Sequence, residues 1–203
     1  MENKKGNGRK QLVLLMAFFA APIILAIIMY NNMPEGGPSE TKNYGDLVTP
    51  ARPLTDVVLQ TETGKEFKFS EMNKTWVMVY VGEADCNKSC ADALYKMRQS
   101  RLAQRGEHMR IKRLYISTSG KAKESLKKVL VEHPGLEVVH GNMTAIDSVL
   151  KQFELENKEA AKSAKRLYLV DPFGNLMMSY ENGFDAKGLI EDVTLLLKIS
   201  RIG

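Results

Sequence analysis

Trp76-Val77-Met78-Val79-Tyr80-Val81-Gly82-Glu83-Ala84-Asp85-Cys86-Asn87-Lys88-Ser89-Cys90 is the stretch from which the fold can be read. Its first six residues are apolar, mostly β-branched or aromatic, the pattern of a strand covered on both faces. Ala91-Asp92-Ala93-Leu94-Tyr95-Lys96-Met97 reads as a helix, so the chain's only two cysteines fall where a strand hands over to a helix. With the helix begun by Cys86, an i,i+4 pair would place its Cα atoms roughly 6 Å apart, near the long end of what a disulfide spans. Such a bridge is expected to be strained and easily reduced. Free amides at the helix N-terminus and Lys88 would stabilise a thiolate, whereas Asp85 would oppose it. Once reduced, the two thiolates converge into a soft site suited to Cu(I) or, less completely, Zn. A purely structural bridge is the weaker account, because so small a loop removes little chain entropy.

Upstream, residues 12–30 contain no charged side chain, about 28 Å of helix and close to the hydrocarbon thickness of a bilayer. Asn31-Asn32-Met33-Pro34 follows instead of a small-residue cleavage site, so the segment reads as a retained anchor. Pro22 within it is expected to kink it, which membrane helices tolerate. Lys4, Lys5, Arg9 and Lys10 precede the span, while Glu35, Glu40 and only Lys42 follow closely. Residues 1–11 are therefore expected to stay in the cytoplasm, with the rest in the periplasm of a bacterial inner membrane. Residues 31–45, rich in Pro, Gly and polar side chains, read as a tether. Residues 46–203 are one domain's length.

The formal charge is +5. Residues 1–11 hold four bases and one acid, a net of +3, which leaves +2 for the remainder and gives no reason to expect nucleic acid. Lys96, Arg98, Arg101 and Arg105 cluster on the helix after the cysteines; a solvated face is favoured there over a docking surface for an acidic partner or lipid head groups.

Within the domain, Tyr44–Leu54, with two prolines, reads as an extended lead-in. Asp56–Gln60 and Glu66–Phe69 flank Gly64 as a hairpin. Strands are expected at 111–117, 136–140, 166–170 and 176–180. Helices are expected from the cysteines to about Arg105, with Leu94, Met97 and Leu102 inward, and over 121–132, 143–153 and 185–199. This alternation predicts an α/β domain with parallel strands at its centre and functional groups at their carboxyl ends, where Cys86 falls.

The order of these features resembles the Sco/SenC family: a single span, a tether, Cys86-x-x-x-Cys90 after a hydrophobic strand, and Tyr168-Leu169-Val170-Asp171-Pro172-Phe173-Gly174-Asn175. The resemblance covers the chain from roughly Tyr44 onward. It implies a thioredoxin-like fold, a mixed sheet flanked by helices, and a role in assembling the copper centre of cytochrome c oxidase. It makes Cys86 and Cys90 both a thiol/disulfide pair and ligands of copper(I), with an oxidase subunit or another copper-site assembly factor as partner. The family's third ligand is a histidine eight residues before the Asp-Pro turn; this chain has Ser163 there, a poor ligand for a soft ion. Ala91 also replaces the proline that often follows the second family cysteine. Thiol chemistry is therefore placed first and copper handling second.

Two further functions stay open: a thiol peroxidase or disulfide reductase with Cys86 as nucleophile, and a non-catalytic binding partner of an oxidase subunit. Against general reductase activity stand the longer cysteine spacing and the absence of a proline before the Arg166 strand. His140 reads as a hydrogen-bonded strand-end residue ahead of a substitute ligand, and His108 and His133 have less claim. The eleven methionines read as packing, and Asp171 and Asn175 as turn formers.

Overall fold

The computed structural model describes residues 6–32, 43–72, 74–156 and 158–200. Lys4, Lys5 and most of the expected tether lie outside them. The chain forms two compact units, Met1–Thr41 and Lys42–Gly203.

In the first unit, α1 runs over Gly6–Asn31 with Pro22 inside it. Gly8–Asn31 is long and apolar enough to cross a membrane, its most apolar 18-residue window having a mean hydropathy of 2.9, and side chains such as Leu14 and Phe18 are exposed.

In the second unit the strands are β1 (Asp46–Pro53), β2 (Leu59–Thr61), β3 (Glu66–Phe67), β4 (Trp76–Gly82), β5 (Ile111–Ser117), β6 (Leu136–His140), β7 (Leu167–Val170) and β8 (Asn175–Tyr180). They form one mixed sheet in the order β1-β8-β7-β4-β5-β6-β2-β3. β4, β5 and β6 are parallel, with Tyr80 beside Tyr115 and Tyr115 beside Val138. β7 runs antiparallel to β4, β8 to β7, and β2 to β6.

Every residue of β4 is buried, as its unbroken apolar composition demands at the centre of a two-faced sheet. Trp76, Met78 and Tyr80 face a layer containing α2 (Lys88–Ala103), α3 (Glu124–Leu130) and α5 (Ala186–Ile199), through Leu94, Met97, Leu126, Leu189 and Val193. Val77, Val79 and Val81 face α4 (Met143–Phe153), through Ile146, Val149 and Phe153. Each such aliphatic side chain contributes about 1.5–3 kcal/mol on burial.

The extended lead-in is, more specifically, the edge strand β1, antiparallel to β8 with a register shift between Leu47 and Arg52; an edge tolerates Pro50 and Pro53 because the outer backbone groups need no ladder partner. Three expectations are corrected. Leu102 is 48% exposed, since buried Ser100, three residues beyond Met97, continues the inward stripe. The helix expected over 121–132 is confined to Glu124–Leu130. The residues before it bind the cysteine loop instead, and Lys123 donates its amide to the Ala84 carbonyl at 3.0 Å. Finally, α2 begins at Lys88 with Asn87 as its N-cap, so Cys86 precedes the helix.

Candidate functional site at the carboxyl end of β4

Cys86 and Cys90 form a disulfide with a Cα separation of 5.3 Å. Because Cys86 sits in the extended segment before the cap, this separation lies well inside the ordinary range, and the expected stretch to a helical i,i+4 distance does not occur. The Asn87 side chain accepts from the Cys90 amide at 3.0 Å, and its carbonyl accepts from the Ala91 amide at 2.9 Å. The cap thus satisfies two helix-start donors and fixes Cys90 at the third helical position.

The two sulfur residues differ in setting. Cys86 is half-buried, whereas Cys90 is 5% exposed and packed in the core. The Tyr115 hydroxyl lies 3.8 Å from Cys90 Sγ and donates to the Glu83 carbonyl at 2.7 Å. Burial drives the Tyr115 pKa well above the ordinary phenol value. Tyr80, its ring centroid 5.6 Å from that of Tyr115, is pushed up to about 12 by burial. Gly82 leaves room for this arrangement, since a Cβ there would lie 2.8 Å from Tyr115 Cζ.

The loop outside Cys86 is clamped by α3 and the segment before it. Ser125 Oγ accepts from the Cys86 amide at 3.1 Å and donates to Asp85 Oδ1 at 3.0 Å. Lys123 Nζ reaches Asp85 Oδ2 at 2.6 Å. The hydrogen bond from Lys123, then that from Ser125, holds the Asp85 carboxyl below its usual range. Asp85 was expected to oppose a thiolate at Cys86, but its charge is committed to Lys123. On the other side, Ser89 Oγ donates to Asn182 Oδ1 at 2.8 Å, tying the first turn of α2 to the loop after β8.

Because β7 is antiparallel to β4, with Leu167 beside Tyr80, the segment entering β7 also lies at this end of the sheet. It carries Ser163, exposed, with its hydroxyl donating to the Ala160 carbonyl at 3.2 Å. Lys165, in the same segment, has a left-handed φ of 46°. His140, at the carboxyl end of β6, is 6% exposed, and its Nε2 has no hydrogen-bond partner, unlike the hydrogen-bonded histidine expected. It stands two strands from β4, roughly 10 Å away laterally, too far to share a metal with sulfur atoms at bonding distances near 2 Å. His133, in the segment between α3 and β6, is also buried. Asp171 shapes the turn as expected, accepting from the Phe173 and Asn175 amides. Among the described residues no group of three or more His, Cys, Asp or Glu side chains is placed to hold a metal ion.

Neither Tyr115 nor Ser125 stood out in the sequence, since each meets the cysteine loop only through tertiary contact. The Asn87 cap was also missed, although its signal was present, a capping-type residue three positions before a helical amide.

A disulfide at the junction of a central strand and the following helix, on a mixed sheet with helices on both faces, defines a thioredoxin-like protein. Residues 76–200 match the family model described as transmembrane-like, thioredoxin-like, C-terminal domain, and the chain belongs to that family. Its fold is similar to that of yeast Sco1 with copper bound, at 19% identity and a TM-score of 0.62 over 75% of this chain and 96% of that one. It is also similar to apo Sco1 from Thermus thermophilus, at 14% identity and a TM-score of 0.63 over 78% and 99%. The thioredoxin domain of a thiol-disulfide oxidoreductase from Bacteroides vulgatus follows at 16% identity and a TM-score of 0.53 over 70% and 94%. No curated protein matches the sequence.

Proposed function

We propose that this chain is a membrane-tethered Sco-like factor that acts on the redox state of a partner's cysteines during cytochrome c oxidase biogenesis, with copper(I) handling secondary. Residues 1–11 form the cytoplasmic tail, 12–30 the single span, 31–45 the tether and 46–203 the periplasmic domain. The observation that carries the reading is the Cys86–Cys90 pair itself, with one sulfur residue reachable from solvent and the other sealed beneath it.

In its reduced form, Cys86 is the sulfur that meets a client. Its thiolate attacks one sulfur of the client's disulfide, forming a mixed disulfide and releasing a client thiolate. Cys90 then attacks Cys86 Sγ, the intermolecular bond breaks, and the second client thiolate leaves. Two electrons pass to the client, and the protein is left with an internal disulfide. A thiol-class reductant must reopen it. Asn87 and Ser125 hold the two backbones so that the sulfurs remain within bonding reach.

As cargo, copper(I) finds two thiolates in the reduced pair and, at position 163, only an exposed serine hydroxyl already bonded to Ala160. That donor set does not complete a three-coordinate soft site. Copper would need a ligand from the client or bind as to a simple dithiol.

The experiment is a Cys86→Ser/Cys90→Ser double variant in cells, read by oxidase copper-centre content, together with the midpoint potential of the wild-type pair. Loss of assembly with a labile couple supports the proposal. Full assembly in the double variant would instead make the protein a non-catalytic partner. Turnover of peroxide or a model disulfide, abolished by Cys86→Ser alone, would make it an enzyme.

A further inference from the structure

At the end of the sheet opposite the cysteines lies a cationic cluster with no role in the thiol chemistry. Arg113, near the start of β5, is 3% exposed. Its Nη2 donates to the Pro134 carbonyl at 2.6 Å, whereas its Nε and Nη1 have no hydrogen-bond partner. Arg101 on α2 is fixed nearby, its Nε donating to the Ile111 carbonyl at 2.8 Å. Arg101 and Arg98 both lie close enough to act electrostatically on Arg113, and Arg113 and Arg98 act likewise on His133. His133 is 5% exposed, with an unpartnered Nδ1.

Among the described residues, no carboxylate pairs with Arg98, Arg101 or Arg113. A buried guanidinium is ordinarily paired, because desolvating a lone charge costs several kcal/mol. Here Arg101, tied to the same strand, and Arg98, within electrostatic range, add positive charge to one whose donors are idle. The repulsion and the orphaned donors share one remedy, an anion carrying more than one charge and several acceptor oxygens. Arg113 lines a surface groove together with Lys65, Lys112 and Glu137, which gives solvent a route to it, while the groove between α2 and α3 reaches His133 and carries Glu132. Arg98 makes no hydrogen bond or ion pair among the described residues and is free to admit a ligand.

We propose that Arg113, flanked by Arg98 and Arg101, is the floor of a binding site for a phosphate group, either free or as a phosphomonoester lipid headgroup. A monocarboxylate would offset only one of the three charges, which is why the phosphate class fits better. This site is independent of the cysteine chemistry proposed above.

The test uses the full chain in uncharged detergent at constant ionic strength. Calorimetric titrations are run with inorganic phosphate and, separately, with short-chain phosphatidic acid, each against chloride. Saturable binding of phosphate, weakened at least about tenfold by Arg113→Met, establishes a site for the free ion. Binding of phosphatidic acid alone, with the same sensitivity, assigns the headgroup. Arg98→Ala, a change at a half-buried side chain without bonds to lose, should weaken either ligand by about fivefold and serves if Arg113→Met fails to fold. Binding unchanged in both variants, or no saturable heat with either ligand, overturns the proposal.

Discussion

Gly82→Ala tests whether the packing under Cys90 is as tight as described. A Cβ at position 82 would lie 2.8 Å from Tyr115 Cζ and 3.0 Å from Tyr80 Cε1. Both tyrosines are fully buried, so neither ring can swing out to relieve the contact. The remaining way out is to displace the Tyr115 ring, which breaks its hydrogen bond to the Glu83 carbonyl and loosens its contact with Cys90. Overpacking of this kind costs about 1–3 kcal/mol, and the lost hydrogen bond about 1 kcal/mol more. The expected total is about 2–4 kcal/mol, which for a domain of this size lowers Tm by roughly 5–15 °C. Near-ultraviolet circular dichroism of the full chain in detergent follows the transition, because α1 keeps its far-ultraviolet signal whatever the domain does. In a Tyr115→Leu background the ring is gone, and Gly82→Ala should cost at least about 1 kcal/mol less. A cost below about 0.5 kcal/mol, or one that is the same with and without the Tyr115 ring, would refute the packing argument.

Ser163→His should supply a third soft-site donor at the sheet end that carries the cysteines, raising the copper(I) affinity of the reduced protein at least about tenfold against a chromophoric chelator; an unchanged affinity would show that position 163 does not reach the sulfurs. The neutral forms of Tyr80 and Tyr168 are favoured by burial, which raises both groups to about 12, and Tyr115 and Tyr180 are raised further. The stability they contribute is whole below the unfolded phenol value near 10 and is lost as pH rises toward the folded values. Absorbance at 295 nm should therefore show these tyrosinates appearing together with unfolding between about pH 10 and 12, not before it. Asp192, 4% exposed, accepts from the Gly45 amide and the Tyr180 hydroxyl, both at 2.9 Å, and from the Tyr44 amide at 3.0 Å; Asp192→Ala orphans these donors and should cost about 3–5 kcal/mol in chemical denaturation. A C-terminal reporter active only outside the cytoplasm should be active on this chain, and a cytoplasmic signal would remove the setting for the disulfide.

How much of this could be read beforehand depended on the distance along the chain over which each feature is decided. The β4 strand, the helix after it and the turn at Asp171 are set within a dozen residues, and their composition gave them away. The start of α2 depended on one side chain. Asn87 captures the Cys90 amide, and a helix cannot extend back through its own cap, so Cys86 was left outside and the predicted cysteine geometry shifted. Leu102 was misplaced for a related reason: an apolar residue was preferred over Ser100 for the inward face, although a serine fits a tight contact that a leucine would overfill.

The surroundings of the cysteines were not legible, because they are assembled across strands. Tyr115 reaches Cys90 through the register that sets it beside Tyr80 on the neighbouring parallel strand, and no local pattern encodes a register between two buried strands. Ser125 reaches the Cys86 amide because Thr118, Ser119 and Lys123 bond to Gly82 and Ala84 instead of starting a helix. The same logic hid the cationic cluster. Lys96, Arg98, Arg101 and Arg105 looked like one solvated helical face, yet Lys96 pairs with Asp92 and stands over the Phe184 ring, while Arg101 bonds to the Ile111 carbonyl of β5 and, with Arg98, acts electrostatically on a strand arginine. A basic residue at an inward position of a central strand, as Arg113 is in Ile111-Lys112-Arg113-Leu114-Tyr115-Ile116, is the one signal that was present. Its alternation puts Arg113 on the face of Ile111 and Tyr115, inside the layer that α2 covers, where a charge without a partner calls for a ligand.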